Sequence, residues 1–214
     1  MGFDPYLAPD KDHAALIIID TQQDFTLPGA PGEIPGTLAA LPRMERLVRA
    51  FRDRGKPIVH VVRLFRPDGA NVDLCRRRAV QQGRLIVAPG TDGAEIMAEL
   101  KPGPEVRLDA DLLLAGGLQA IGPREWIMYK PRWGAFYKTL LEEHLRGLEV
   151  NTIAVCGCNF PNCPRTTIYE ASERDFKLVL VTDAVSGLYD RGREELVNIG
   201  LILMDTEESL AWLE

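Results

Sequence analysis

No apolar run in the chain approaches the length needed to span a bilayer, and residues 1–13 lack the basic start and apolar core of a signal peptide. Excess positive charge is also missing: 25 Lys and Arg stand against 31 Asp and Glu, a net charge of -6, which argues against a surface that tracks phosphates. Arg76-Arg77-Arg78 is the only basic run, and a solvated face explains it better than a nucleic-acid patch. Cysteine is scarce and clustered, three of the four lying between Cys156 and Cys163, unlike a secreted framework whose cysteines staple distant loops. Histidine is scarcer still, with His13, His60 and His144 scattered. Repeats, low-complexity tracts and linkers are absent. These absences point to a cytoplasmic protein with reduced thiols, acting on a small molecule, with neither a nucleic acid nor a membrane as partner.

What is present is a 46% hydrophobic chain of 214 residues, enough to bury one core, so residues 1–214 are expected to form one domain. The run Ala14-Ala15-Leu16-Ile17-Ile18-Ile19-Asp20 is continuously apolar and ends in a carboxylate, the pattern of a buried parallel strand. Residues 21–36 are polar, then rich in Gly and Pro, and read as a loop. Leu41, Met44, Leu47, Val48 and Phe51 recur at helical spacing, and Gly55 with Pro57 stops that helix. Residues 57–64 read as a second strand, 125–130 as a third, 152–157 as a fourth, 177–183 as a fifth and 201–204 as a short last one. Tyr137, Leu140, Leu141, Leu145 and Leu148 form a helical stripe, and residues 166–175 and 193–199 read as helices. Between 65 and 124 the signals are mixed: a polar helix near 72–82, an unassigned Leu112-Leu113-Leu114, and Gly/Pro clusters. So long a loop is improbable, and short strands, helical turns or an oligomer contact are expected there.

Strands alternating with amphipathic helices imply a mostly parallel sheet covered on both faces, with ligands beyond the carboxyl ends of its strands. Asp20, Lys130 and the loop carrying Cys163 all fall at such ends. Cys163 precedes Pro164, a residue suited to a helix start, so Cys163 is expected near the N-cap, where free N–H groups and the helix dipole favour a thiolate. A nucleophilic thiol, a carboxylate to carry its proton and an ammonium to balance the charge make an amidase-type set. Backbone N–H groups around Asn159 and Cys163 could bind the oxyanion, a contribution of about 3 to 4 kcal/mol per donor in hydrolases.

The set Asp20-x-Gln22-x-Asp24-Phe25, Lys130-Pro131-Arg132-Trp133-x-Ala135-Phe136, Gly157 with Cys163 six residues on and Thr167 four beyond, and Asp183-Ala184-x-Ser186 resembles the isochorismatase-like cysteine hydrolase superfamily, in order and over nearly the whole chain. The resemblance implies a three-layer α/β/α fold with a six-stranded, mostly parallel sheet of order 3-2-1-4-5-6. It also implies a Cys-Asp-Lys triad of Cys163, Asp20 and Lys130, a cis peptide at Cys158-Asn159, no cofactor, and a homo-oligomer, dimer or tetramer. Nicotinamidases of that superfamily carry an Asp and two His after the second strand as a metal site. Residues 64–74 hold no histidine, so no metal is expected. Pro164 replaces the aliphatic residue usual after the nucleophile, which places the chain in a distinct branch.

Blander readings stand beside these. Cys163 could be a small buried hydrophobe, and Cys156, Cys158 and Cys163 could hold a metal, though their spacing fits no common zinc pattern. Cys156 is expected in the core and Cys158 as a site wall. Phe25, Trp133, Phe136 and Phe160 either line a substrate pocket or pack. Arg132 and Arg165 either hold a substrate carboxylate or pair at the surface. The expected activity is hydrolysis of a small amide, ureido or carbamoyl compound through a Cys thioester. Vinyl-ether hydrolysis of the isochorismatase type and a non-catalytic binding role are the alternatives.

Overall fold

The computed structural model describes residues 4–214, so residues 1–3 of the N-terminal stretch lie outside it. The first apolar run forms β1 (Ala14–Ile19), buried along its whole length. Successive side chains of a strand face opposite ways, so Ala15, Ile17 and Ile19 join one apolar cluster while Leu16 and Ile18 join another. A strand buried on both faces needs this continuous apolar run rather than alternation. The same logic gives β2 (Ile58–Val62), β5 (Thr152–Gly157) and β6 (Lys177–Val185).

Two helices, α2 (Thr37–Asp53) and α8 (Thr206–Leu213), cover the face to which Leu16 and Ile18 point. The opposite face is covered by α5 (Leu141–Gly147), α6 (Cys163–Ser172) and α7 (Asp190–Asn198). The fold is thus a three-layer α/β/α sandwich. With β3 (Leu118–Gly122), β4 (Glu125–Tyr129) and β7 (Ile202–Met204), the sheet order is β3-β4-β2-β1-β5-β6-β7. All neighbours are parallel except β3 and β4.

Without β3, the six remaining strands have the expected 3-2-1-4-5-6 order, and the seventh is an addition to it. This antiparallel edge strand is half-buried and ends in Gly122, so it carries no continuous apolar run to mark it. Residues 65–124 also contain α3 (Leu74–Gln81), two single 3₁₀ turns at Asp92–Ala94 and Ala98–Leu100, and α4 (Ala110–Leu114), which takes up the unassigned leucine run. A third apolar cluster packs this region over Val62, Leu64, Ile127 and Phe25.

Several boundaries differ from the sequence reading, α7 starting at Asp190 and β6 running to Val185 among them. Residues 21–36 are not all loop, because α1 (Gln23–Thr26) makes one turn there. Gln22 anchors it: its side-chain amide donates to the carbonyls of Arg63 and Ala94 and accepts from Arg63 N–H at 2.8 Å. The leucine stripe is helical only from Leu141, since Tyr137 and Leu140 lie exposed before α5. Helix α6 begins at Cys163 with Asn162 as N-cap, so Cys163 lies at the helix N-terminus as Pro164 implied, three residues ahead of the helical reading from 166.

Candidate active site

Strand order reverses beside β1, whose neighbours β2 and β5 run on to opposite edges of the sheet. Three charged residues close strands there: Asp20 follows β1, Arg63 follows β2 and Lys130 follows β4. Asp20 and Lys130 continue the ladder by one residue, Asp20 N–H donating to Val61 O and Lys130 N–H to Val62 O, whereas Arg63 N–H donates to the Gln22 side chain. Asp20 adopts φ 53°, a left-handed conformation that Asp tolerates better than most residues, and it is buried.

Lys130 is wholly buried, and its Nζ donates to Asp20 Oδ2 at 2.9 Å and to Arg132 O at 3.3 Å. Asp20 Oδ1 has no hydrogen-bond partner among the described residues. Cys163 opens α6 beside it. The loop after Lys130 is tied to the same helix, because Ala135 N–H donates to Thr167 Oγ1 and Phe136 N–H to Glu170 Oε2. Asp20, Lys130 and Cys163, the three residues the resemblance groups, are therefore brought together by β1, β4 and the β5–α6 turn.

The turn itself depends on Gly157, at φ 112°, where a Cβ would collide with the backbone of Ile19. The Cys158-Asn159 peptide that follows is cis. Cys158 is buried with its Sγ donating to Asp20 O at 3.0 Å, and Cys156 is buried in the core. Among the described residues, no group accepts a hydrogen bond from the backbone N–H of Asn159 or of Cys163. Pro164 has no N–H, Arg165 N–H donates to Phe160 O and Thr166 N–H to Asn162 O. Pro164 therefore leaves Cys163 as the one free backbone donor in this first turn of α6.

Burial, and next the charge of Asp20, push the Cys163 thiol up to about 12, while Lys130 and Arg63 pull the other way. Desolvation and the neighbouring carboxylate thus act against the thiolate that the helix N-terminus is expected to favour. Burial raises Cys158 well above its ordinary value too, again reinforced by Asp20.

A narrow cleft opens over these groups, lined by Asp20, Phe25, Ile34, Arg63, Arg76, Trp133, Asn159, Asn162 and Cys163. Phe25 and Trp133 are its aromatic walls. Phe136 and Phe160 instead pack in the core, Phe136 against Phe176 and Phe160 against Tyr189. Arg132 turns its guanidinium to the carbonyls of Asn71 and Pro131, and Arg165 binds Glu195 and Tyr189, all outside the cleft lining. Asp183 accepts from Thr206 and pairs with Arg43, holding the start of α8. Arg63 escaped the sequence reading, although it closes its strand with a charge just as Asp20 and Lys130 do, and Arg76, read there as part of a solvated basic run, lines the cleft instead. Among the described residues, no three His, Cys, Asp or Glu side chains gather closely enough to hold a metal ion, and no helix is long and apolar enough to cross a membrane.

Comparison with known proteins gives a consistent grouping. A family model described as the isochorismatase domain matches residues 14–109 and 116–208. A relative from Arabidopsis thaliana, described as a probable inactive nicotinamidase, is 30% identical over 176 residues and aligned over 81% of each chain. Maleamate amidohydrolase of Pseudomonas putida is 28% identical over 174 residues, 80% of this chain and 71% of its own. The crystal structure of an isochorismatase family protein from Desulfovibrio vulgaris superimposes with a TM-score of 0.80 at 31% identity, covering 94% of this chain and 98% of its own.

Proposed function

Since the chain belongs to the isochorismatase domain family, we propose that it is a hydrolase of a small amide, ureido or carbamoyl compound, working through a thioester on Cys163. The observation that carries this reading is the convergence of a thiol and an unpartnered carboxylate oxygen in one cleft, with a buried ammonium 2.9 Å behind the carboxylate's other oxygen. The similarity to a maleamate amidohydrolase supports the substrate class. All three groups come from one copy of the chain, and residues 1–214 act as one catalytic domain.

Asp20 Oδ1 takes the thiol proton as Cys163 Sγ attacks the carbonyl carbon. With the thiol so high, an isolated thiolate would be scarce, so proton transfer must accompany attack. Lys130 keeps a positive charge against the site throughout, whether the negative charge lies on Asp20 or has moved to the substrate. The backbone N–H groups of Asn159 and Cys163 receive the oxyanion, each worth about 3 to 4 kcal/mol if placed as in well-studied hydrolases. Collapse breaks the C–N bond, and Asp20 returns its proton to the leaving nitrogen. Water, deprotonated by Asp20, then cleaves the thioester, and the proton passes back to the Cys163 sulfur. The products are an acid and ammonia, or an amine.

The test is ammonia release over a panel of carbamoyl, ureido and carboxamide compounds by the wild type and by Cys163→Ala. The expected result is turnover in the first and none in the second, with an acyl adduct on Cys163 seen by mass spectrometry. Unchanged turnover in a folded Cys163→Ala protein would sink the thioester route.

A further inference from the structure

The chemistry proposed above uses Cys163 and leaves a second buried thiol beside the site without a task. Cys158 is the first residue beyond β5, wholly buried, and it belongs to the apolar cluster of Phe25, Leu64 and Phe65. An apolar side chain would suit that cluster as well as a cysteine does. What an apolar side chain cannot do is donate, and Cys158 Sγ donates to Asp20 O at 3.0 Å. Cys158 N–H meanwhile donates to Ile19 O at 2.8 Å, so one residue grips two successive carbonyls at the end of β1.

Asp20 needs such a grip. At φ 53° its backbone sits in a region that L-residues leave when nothing holds them there. On the upstream side, Asp20 N–H is fixed to Val61 O at 2.8 Å. On the downstream side, the peptide joining Asp20 to Thr21 has a single tie: among the described residues, Thr21 N–H finds no acceptor, and the Cys158 thiol is the one donor to Asp20 O. Without that tie, rotation of Asp20 toward negative φ would swing its Cβ, and with it the carboxylate whose Oδ2 lies 2.9 Å from Lys130 Nζ. The carbonyl would also be left buried without a donor. Burial, reinforced by the charge of Asp20, holds the Cys158 thiol well above its ordinary value, so the sulfur keeps the proton it donates.

We propose that Cys158 is a positioning residue for the hydrolysis: its S–H fixes the Asp20–Thr21 peptide, and through it the direction in which Asp20 Oδ1 meets the Cys163 thiol. This rests on the thioester reading, in which Asp20 carries the proton. Cys158 is outside the cleft lining, so it acts on the reaction through Asp20 and not through the substrate.

Three substitutions separate donation from packing. Cys158→Val keeps an apolar body, Cys158→Ala empties part of the space, and Cys158→Ser alone keeps a donor. A cysteine that only packs is replaced best by Val and worst by Ser; a donor is replaced only by Ser. Ammonia release is measured with whichever carbamoyl, ureido or carboxamide compound of the panel the wild type hydrolyses, and kcat is expressed per folded molecule, the folded fraction coming from circular dichroism. The expected result is a kcat about 100-fold lower in Cys158→Val and Cys158→Ala at little-changed KM, the scale of a reacting group displaced by about 1 Å, with Cys158→Ser within about fivefold of the wild type. Should the branched Val not fold, Ala against Ser decides. Crystal structures of the substrate-free variants give a second reading, in which Asp20 keeps its positive φ and its bond to Lys130 with Ser and loses one or both with Val or Ala. Turnover with Val or Ala equal to or above that with Ser, or an undisplaced Asp20 in every variant, overturns the inference and leaves the nucleophile intact. Turnover by Cys163→Ala instead sinks the thioester reading, and the crystal structures then decide the grip on Asp20 alone.

Discussion

The thiol of Cys163 faces a carboxylate, and this one neighbour sets two opposite consequences for a change at Asp20. After burial, the Asp20 charge is the largest cause of the high thiol value. Asp20→Asn keeps the shape and tolerates the left-handed φ, but removes both the base and the repulsion. Turnover should fall about 100-fold or more, the scale of a lost general base. Alkylation of Cys163 by iodoacetamide at neutral pH should meanwhile become faster, because the thiolate no longer forms beside a negative charge. Parallel rate measurements on the two proteins check this, and a variant that lost both activity and labelling would show that Asp20 acts mainly through the fold. Single residues also mark what sequence could not tell. Phe25 and Phe160 are equally aromatic and equally near motif residues, yet only the first lines the cleft. Which way a side chain turns depends on tertiary packing, so sequence alone could not separate them.

Strand ends are where the sequence spoke most clearly, because a charge that stops a continuous apolar run marks where the packed faces of the strand end. Asp20 and Lys130 were legible on that ground, and Arg63 carried the same mark unnoticed. The region between 65 and 124 was opaque for the opposite reason: α3, α4, β3 and two 3₁₀ turns are each short, and their residues feed a shared side cluster rather than a periodic face. The start of α6 was legible in part: Pro164 marked a helix start beside Cys163, while the helical reading of the chain began only at Thr166. The β5–α6 connection yields a prediction of its own. Gly157→Ala puts a methyl group into the Ile19 backbone at a φ that L-residues avoid, and β1 cannot retreat because β2 and β5 hold it on both sides. Stability should drop by about 3 kcal/mol or more, read as a lower urea midpoint, and the Cys163 loop should lose its register with Asp20. A midpoint within error of the wild type would mean that β1 and the turn can separate cheaply.

At the scale of the whole molecule, three of the four cysteines are buried within one strand and the turn after it, and burial is the first cause of a raised value for each. That has a thermodynamic consequence for the folded state at alkaline pH. In the unfolded chain these thiols ionise near their ordinary value, about 8.5. In the native chain they remain protonated, Cys163 up to about 12 and the other two above their ordinary range as well. Above the unfolded value the native state binds more protons than the unfolded one, so stability falls as pH rises. The contribution is fully present below about pH 8.5 and is lost through the interval up to the native values, each thiol costing about 1.4 kcal/mol per pH unit within it. Urea midpoints measured from pH 7.5 to 10.5 should therefore decline steeply. Cys156→Ala, which removes a thiol remote from the reacting groups, should flatten the decline by about a third while lowering the neutral-pH midpoint modestly. A decline of unchanged slope in that variant would assign the alkaline sensitivity to groups other than the buried thiols.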